Sequence, residues 1–254
     1  MNKVSQNQLR LLKRLKQRKQ REKEQLFIVE GERAVEQIVN NSVLEIDSVF
    51  IAKGKEIEIS VNQEKIFVIE NPEMAEIADT ENTQGVLALC KTPAETTLKS
   101  LEYETGVLVA TDSIQDPGNL GTIIRTAAWF NSKAILLGKG SVDMFNPKVV
   151  RSTVGATGTL PFMTGELSEL LPELEKQGWE VLLLDGNEGS IPISSHKPSD
   201  KIILVVGNEA NGVSKELLQS NRTRVLIPAK TSSSTVESLN AAVALSIALW
   251  TVNN

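Results

Sequence analysis

The sequence predicts an α/β protein of two domains, the larger one a mainly parallel sheet with helices on both faces. Three observations carry this reading. Short apolar runs alternate with amphipathic stretches along 254 residues, a length beyond that of the usual single domain. Runs in the second half, such as Ile202-Ile203-Leu204-Val205-Val206, lack polar alternation, as strands buried on both faces do. Several later runs end in glycine or proline followed by a few polar residues, which is how an α/β protein builds a site.

Taken in order, Leu9, Leu12 and Leu15 recur at helical spacing among basic residues, so residues 1–23 are expected to form a basic helical arm with a narrow apolar stripe. Leu26 to Val29 reads as a strand, Glu30-Gly31 as a turn and Glu32 to Val39 as a helix. Val43 to Ile51 and Ile66 to Ile69 read as further strands. Asn71-Pro72 opens a helix with a capping residue and then proline at the first helical position. Gly85 to Cys90 closes the series, which makes residues 24–92 a small α/β domain. Residues 93–105, polar and containing Pro93, are the expected linker.

Residues 106–254 repeat the alternation with more apolar strands at Gly106 to Thr111, Ala134 to Leu137, Trp179 to Leu184, Ile202 to Val206 and Arg224 to Ile227. Helices are expected at Leu120 to Phe130, Leu167 to Gln177 and Ser214 to Gln219. Ala241 to Val252 reads as a core helix, being too short to span a membrane.

Composition narrows the function. The N-terminus is polar and lacks the apolar core of a secretory signal, so a cytoplasmic protein is expected. One cysteine and one histidine exclude a disulfide framework and argue against a Cys/His metal site. The net charge of −5 hides an asymmetry, because residues 1–23 carry nine basic residues and one acid while the rest of the chain carries −13. A basic arm on an acidic body suits a polyanion, since neutralised phosphates release condensed counterions. Arg10, Lys13, Arg14, Lys16, Arg18 and Lys19, with Arg33 beyond the arm, are the candidate polyanion contacts.

Three segments could carry chemistry. The first is Asp116-Pro117-Gly118-Asn119-Leu120-Gly121-Thr122-Ile123-Ile124-Arg125-Thr126-Ala127, in which Asn119 can cap the helix and Arg125 lies one turn beyond Gly121 on the same face. The second is Gly207-Asn208-Glu209-Ala210-Asn211-Gly212. Gly207 would let a ligand approach the backbone, and Glu209 needs a cationic or N–H partner, with Arg125 one candidate. The third runs from Ile227-Pro228 through a polar stretch, Lys230 to Thr235, expected to be a mobile loop. It reaches Ser238-Leu239-Asn240-Ala241-Ala242, where Ser238 and Asn240 sit at the start of the last helix and its N–H groups could serve a ligand. No dinucleotide fingerprint or Walker A sequence is present. His196 lies away from these segments and reads as an ordinary surface residue, and Cys90 reads as a buried strand residue.

In this order the three segments resemble the signature motifs of the SpoU (TrmH) family of RNA 2′-O-ribose methyltransferases, in the SPOUT superfamily. Residues 26–35 are similar to the start of the L30e-like substrate-binding domain that many members carry. The resemblance implies a C-terminal α/β domain with a trefoil knot, a homodimer through that domain, and S-adenosylmethionine as cofactor. Asn119, Arg125, Glu209, Ser238 and Asn240 match the family's functional positions. Val206, Gly207, Asn208, Gly212, Ile227, Pro228 and Leu239 would line the cofactor. The reaction implied is methyl transfer to a ribose 2′-oxygen of RNA, with ribosomal RNA favoured. A tRNA substrate and a catalytically silent RNA-binding protein are the alternatives.

Three departures from the family pattern stand out. The third motif has a longer loop between Pro228 and Ser238, without its usual glycine. Asn131 replaces the glycine that usually ends the first motif, a change that asparagine tolerates because it accepts left-handed backbone. Thr153 stands in place of a common serine and keeps the hydroxyl.

Overall fold

A computed structural model of the chain describes residues 2–197, 199–230 and 236–254. Two compact units are present, Met1–Ala94 with Asp143–Thr159, and Glu95–Val142 with Leu160–Asn254.

The first unit opens with a two-residue strand, β1 (Asn2–Lys3), which sequence periodicity is too short to reveal. Two helices follow where one was expected, α1 (Gln6–Arg14) and α2 (Arg18–Glu24). Ser5 and Gln8 form a reciprocal capping box at the start of α1. The leucine stripe lies on a substantial surface. Leu9, Leu12 and Leu15 are buried among Phe50, Ile69, Met74, Ile77, Leu87 and Leu89, and each such burial is worth about 1.5–3 kcal/mol. The basic segment is therefore part of the domain core and not an arm laid on it. β2 (Leu26–Glu30), α3 (Glu32–Asn41), β3 (Ile46–Ala52), β4 (Ile66–Ile69), α4 (Asn71–Ile77) and β5 (Val86–Lys91) complete the alternation. Asn71 is the first helical residue and not the cap, a position that Glu70 takes without a side-chain bond. The five strands form a mixed sheet in the order β1-β4-β3-β5-β2. Cys90 is buried there, and desolvation, helped by the charge of Asp47, pushes its thiol up to about 12, so it is no nucleophile.

The second unit begins before the expected domain start. Residues 98–101, placed in a polar linker by sequence, form a single 3-10 turn whose Leu101 is buried in the core and accepts a hydrogen bond from Trp179 Nε1 at 3.3 Å. From there the chain runs through β6 (Gly106–Asp112), α5 (Pro117–Trp129), β7 (Ala134–Gly138), α6 (Pro147–Thr153), β8 (Phe162–Gly165), α7 (Leu167–Lys176), β9 (Glu180–Leu184), β10 (Ile191–Pro192), β11 (Lys201–Gly207), α8 (Lys215–Leu218), β12 (Thr223–Leu226) and α9 (Ala241–Val252). Seven strands, all paired in parallel, make a sheet in the order β10-β12-β9-β11-β6-β7-β8. Its central strands are buried on both faces, which is why they read as unbroken apolar runs.

The segment Asp143–Thr159, which contains α6, belongs to the first unit although it lies between β7 and β8 in sequence. There α6 packs on β2, and Phe145 meets Phe27 with ring centroids 4.8 Å apart. Thr153 uses its hydroxyl on Val150 O and Thr157 Oγ1, both at 2.7 Å. Asn131 has φ 54, so asparagine does occupy a left-handed position at the end of α5. The helix read as core, α9, is only half so, because Val243, Ile247 and Trp250 leave one face exposed.

Candidate active site

β6 and β11 are neighbours in register, with Asp112 opposite Gly207. In the strand order β6 continues to β7 on one side of this pair and β11 to β12 on the other, and such a switch point opens a crevice at the carboxyl ends of parallel strands. After β11 the chain folds back at once. Asn208 N donates to Gly212 O at 2.9 Å and Gly212 N to Asn208 O at 2.8 Å, while Asn208 Oδ1 accepts from Ala210 N and Asn211 N. A Cβ at Gly207 would lie 2.1 Å from Gly212 C and Val213 N. The glycine is required by the loop's own backbone, a closer cause than the ligand approach inferred from sequence.

This turn presents Glu209 to the start of α5. Its Oε1 accepts from Asn119 Nδ2 at 2.9 Å and from Asp116 N at 3.2 Å, and its Oε2 from Gln115 N at 3.4 Å. The partner of Glu209 is thus a cluster of N–H donors and not Arg125. Burial works to push this carboxyl up, but the bonds from Asn119, its own N–H, Asp116 and Gln115 outweigh it and hold the group below the usual carboxylate range.

The cap of α5 is Asp116, whose Oδ1 accepts from Asn119 N at 2.8 Å. Asn119 sits in the first turn, and its side chain does more than cap. Asn240 Nδ2 donates to Asn119 Oδ1 at 2.9 Å, and Asn240 Oδ1 in turn accepts from Ala242 N and Val243 N at the start of α9. One chain of hydrogen bonds therefore runs from the N-terminus of α9 through Asn240 and Asn119 to Glu209. A carboxylate can only accept, so it fixes which way each amide points. Helices α5 and α9 pack together, with Ser246 Oγ 3.4 Å from Thr126 Oγ1.

Arg125, two turns into α5, is exposed, and its guanidinium has no hydrogen bond or ion pair among the described residues. Ser238 is also exposed, just ahead of Asn240. Beyond Leu226 the backbone leaves the ladder, and the peptide groups of Ile227 and Ala229 have no partner among the described residues. Pro228 and Leu239 are exposed, whereas Val206 is a buried strand residue. Peptide groups without a partner among the described residues, beside exposed apolar side chains, fit a ligand recognised through main-chain polar groups. Of the expected loop Lys230 to Thr235 only Lys230 is among the described residues. No group of three or more His, Cys, Asp and Glu among the described residues is arranged to hold a metal ion.

A profile of the SpoU rRNA Methylase family matches residues 106–250, which contain every element of this constellation. The chain belongs to the SpoU rRNA methylase family. A second profile, that of the MRM3-like substrate binding domain, matches residues 6–88. The chain is 32% identical over 243 residues, 94% of its length and 92% of the relative's, to 23S rRNA (guanosine(2553)-2'-O)-methyltransferase RlmP of Bacillus subtilis. Among solved structures, a putative RNA methyltransferase of the TrmH family from Porphyromonas gingivalis matches with a TM-score of 0.83 and 31% identity, covering 98% of both chains. An AdoMet-bound rRNA methyltransferase from Sinorhizobium meliloti shares the fold at a TM-score of 0.82 and 23% identity, covering 99% of this chain and 96% of that one.

In this SpoU protein the basic residues expected to meet a polyanion, which lie on α1, α2 and α3 and at Lys16 between the first two, divide into two groups. Lys16 Nζ donates to Glu76 O and Ala78 O, both at 2.9 Å, capping the end of α4. Lys13 pairs with Glu76, Arg18 with Glu22 and Arg14 with Gln20. Arg10, Lys19 and Arg33 are exposed with no partner among the described residues. Of the expected polyanion contacts, only this second group has charges left unpaired among the described residues. His196 is not the surface residue expected, since its side chain is only 10% exposed, with Nε2 3.3 Å from Glu180 Oε2. Sequence reasoning missed the Asn240 to Asn119 link, for which two asparagines 121 residues apart give no local signal.

Proposed function

We propose that the protein methylates a ribose 2′-hydroxyl of ribosomal RNA, with S-adenosylmethionine as methyl donor. The observation that carries this reading is the hydrogen-bond chain joining Glu209, Asn119 and Asn240, which ties all three motif segments into one site and leaves Arg125, further along α5, without a partner among the described residues. When bound, the cofactor supplies an electrophilic methyl group. Val206, Gly207, Gly212, Ile227, Pro228 and Leu239 would hold it, chiefly through main-chain groups.

Methyl transfer of this kind needs a ribose oxygen held in line and relieved of its proton. Arg125 orients the ribose or its phosphate and stabilises the developing alkoxide, since a guanidinium with pKa above about 12 resists acting as a base. Glu209 is a poor base as well, because its hydrogen bonds favour the charged form. Its role is to anchor Asn119 and the first turn of α5. Asn240, as the cap of α9, holds Asn119 from the other side, and Ser238 offers a hydroxyl at the same approach. Arg10, Lys19 and Arg33 would contact RNA phosphates.

The resemblance also supports a trefoil knot in the catalytic unit, a homodimer and a cytoplasmic location. Val243, Ile247 and Trp250 recur at i, i+4 and i+7 on the exposed face of α9, the pattern of a helix that meets a second copy. Incubating the protein with radiolabelled S-adenosylmethionine and total RNA, then mapping the modified position, tests the proposal. Label on a ribose of 23S RNA is expected. Label on tRNA alone would redirect it, and no cofactor binding by the folded protein in calorimetry would leave a silent RNA-binding role.

A further inference from the structure

We propose that Ser113 and Asn208 form a latch that positions Glu209 and, through it, the first turn of α5. They are positioning residues, acting through backbone geometry. This rests on the catalytic reading above and assigns Asn208 a different part from the cofactor contact expected of it.

Ser113 has φ 59, a left-handed conformation that a residue with a Cβ holds only when its surroundings impose it. Those surroundings close on it from two sides. On one side Ser113 Oγ donates to Lys139 O at 3.2 Å, Ile114 N donates to Ser141 Oγ at 3.1 Å, and Val142 N donates to Ile114 O at 2.8 Å. Gly140 (φ +90) comes so near that a Cβ there would lie 2.8 Å from Ser113 Oγ. On the other side Asn208 Nδ2 donates to Ser113 O at 2.8 Å.

The consequence lies two residues on. With Ser113 turned left-handed, the next peptides bring Gln115 N and Asp116 N onto the Glu209 carboxylate. An extended Ser113 would swing both donors away. Asn208 is fully engaged in this arrangement. Its Nδ2 reaches Ser113 O and also lies 3.4 Å from Glu209 Oε2, while its Oδ1 holds the amides of Ala210 and Asn211. An amide nitrogen carries two donors, so this side chain has none left for a ligand.

The test uses the full-length protein. Asn208→Asp keeps the oxygen that holds Ala210 and Asn211 but replaces the donor to Ser113 with a second carboxylate beside Glu209. Its kcat should fall about tenfold while its affinity for S-adenosylmethionine, measured by calorimetry, stays within about twofold. The acid limb of its kcat against pH should move upward, because a neighbouring like charge raises a carboxyl pKa. Ser113→Val, which resists left-handed backbone, should lose kcat to a similar degree, and Ser113→Gly should lose less. Hydrogen exchange at the Gln115 and Asp116 amides should quicken in Asn208→Asp, a readout independent of turnover. Unchanged protection of those amides overturns the latch. So does a fall in kcat with lost cofactor binding and an unmoved acid limb, which would return Asn208 to the cofactor. A wild-type protein that transfers no methyl group while the exchange result holds would instead sink the catalytic reading and leave the latch standing.

Discussion

Two arginines on helices of this protein, Arg21 on α2 and Arg125 on α5, look alike in sequence and have opposite surroundings. Arg21 is 4% exposed, donates to Leu15 O and Lys16 O at 2.8 and 2.9 Å, and meets Asp143 through Nε and Nη2. Arg125 is exposed and has no partner among the described residues. The first holds a domain together, because leaving its carboxylate and carbonyls unpaired in the interior is costly. In the proposed reaction the second serves the RNA, outside the protein. Net charge could not separate them, since nine basic residues in the first 23 made the N-terminus look like the place where polyanions bind. What separates them is which acceptors the fold has already supplied.

The contrast can be broken by experiment. The largest effect is expected for Arg21→Ala, which should destabilise the protein by roughly 3 to 5 kcal/mol in denaturant melts, with turnover of the folded fraction little changed. Arg125→Ala should do the reverse, leaving the melt in place and lowering kcat about a hundredfold. Arg125→Lys with near wild-type turnover would count against a bidentate role for the guanidinium.

Glu209 sharpens the comparison with a charge of opposite sign. Its folded pKa lies below the usual carboxylate range, so the stability and order it contributes are present above its unfolded pKa. They are lost as pH falls through the lower, folded value. Activity should therefore persist through the ordinary carboxylate range and decline only at more acid pH. Glu209→Gln should remove that acid decline and lower kcat about tenfold. An identical acid limb in this variant would show that another group titrates.

The smallest effects belong to Arg10 and Lys19, exposed on α1 and α2. Each substitution by Ala should weaken RNA binding to all sequences alike and reduce the salt slope by about one, as read from binding at several salt concentrations. Lys16→Ala, which uncaps α4, should lower stability and leave the slope alone. Deleting residues 2–23 cannot serve as a test of RNA contact, because it would remove Leu9, Leu12 and Leu15 from the core.

Much of this was legible in the sequence, for identifiable reasons. Ile202 to Val206 declared a buried parallel strand because nothing in it could face water. Leu9, Leu12 and Leu15 declared a helix but not its burial, since the surface that receives them comes from Phe50, Met74 and Leu87, far along the chain. Glu209 at a strand end declared that it needed a partner. Periodicity could not name Gln115 N and Asp116 N as that partner, because their direction depends on the left-handed Ser113. The elements β1 and β10, of two residues each, are too short to carry any period.

The placement of Asp143–Thr159 bears on how the chain becomes a protein at all. A ribosome delivers residues in order, yet Arg21 waits for Asp143 and Phe27 waits for Phe145. The first unit therefore cannot finish folding when residue 94 emerges. It must stay incomplete until residue 159 has been made, by which time β6 and β7 have already appeared. A gene fragment cut at the apparent linker would encode a domain lacking a helix, its buried arginine left without a counterion.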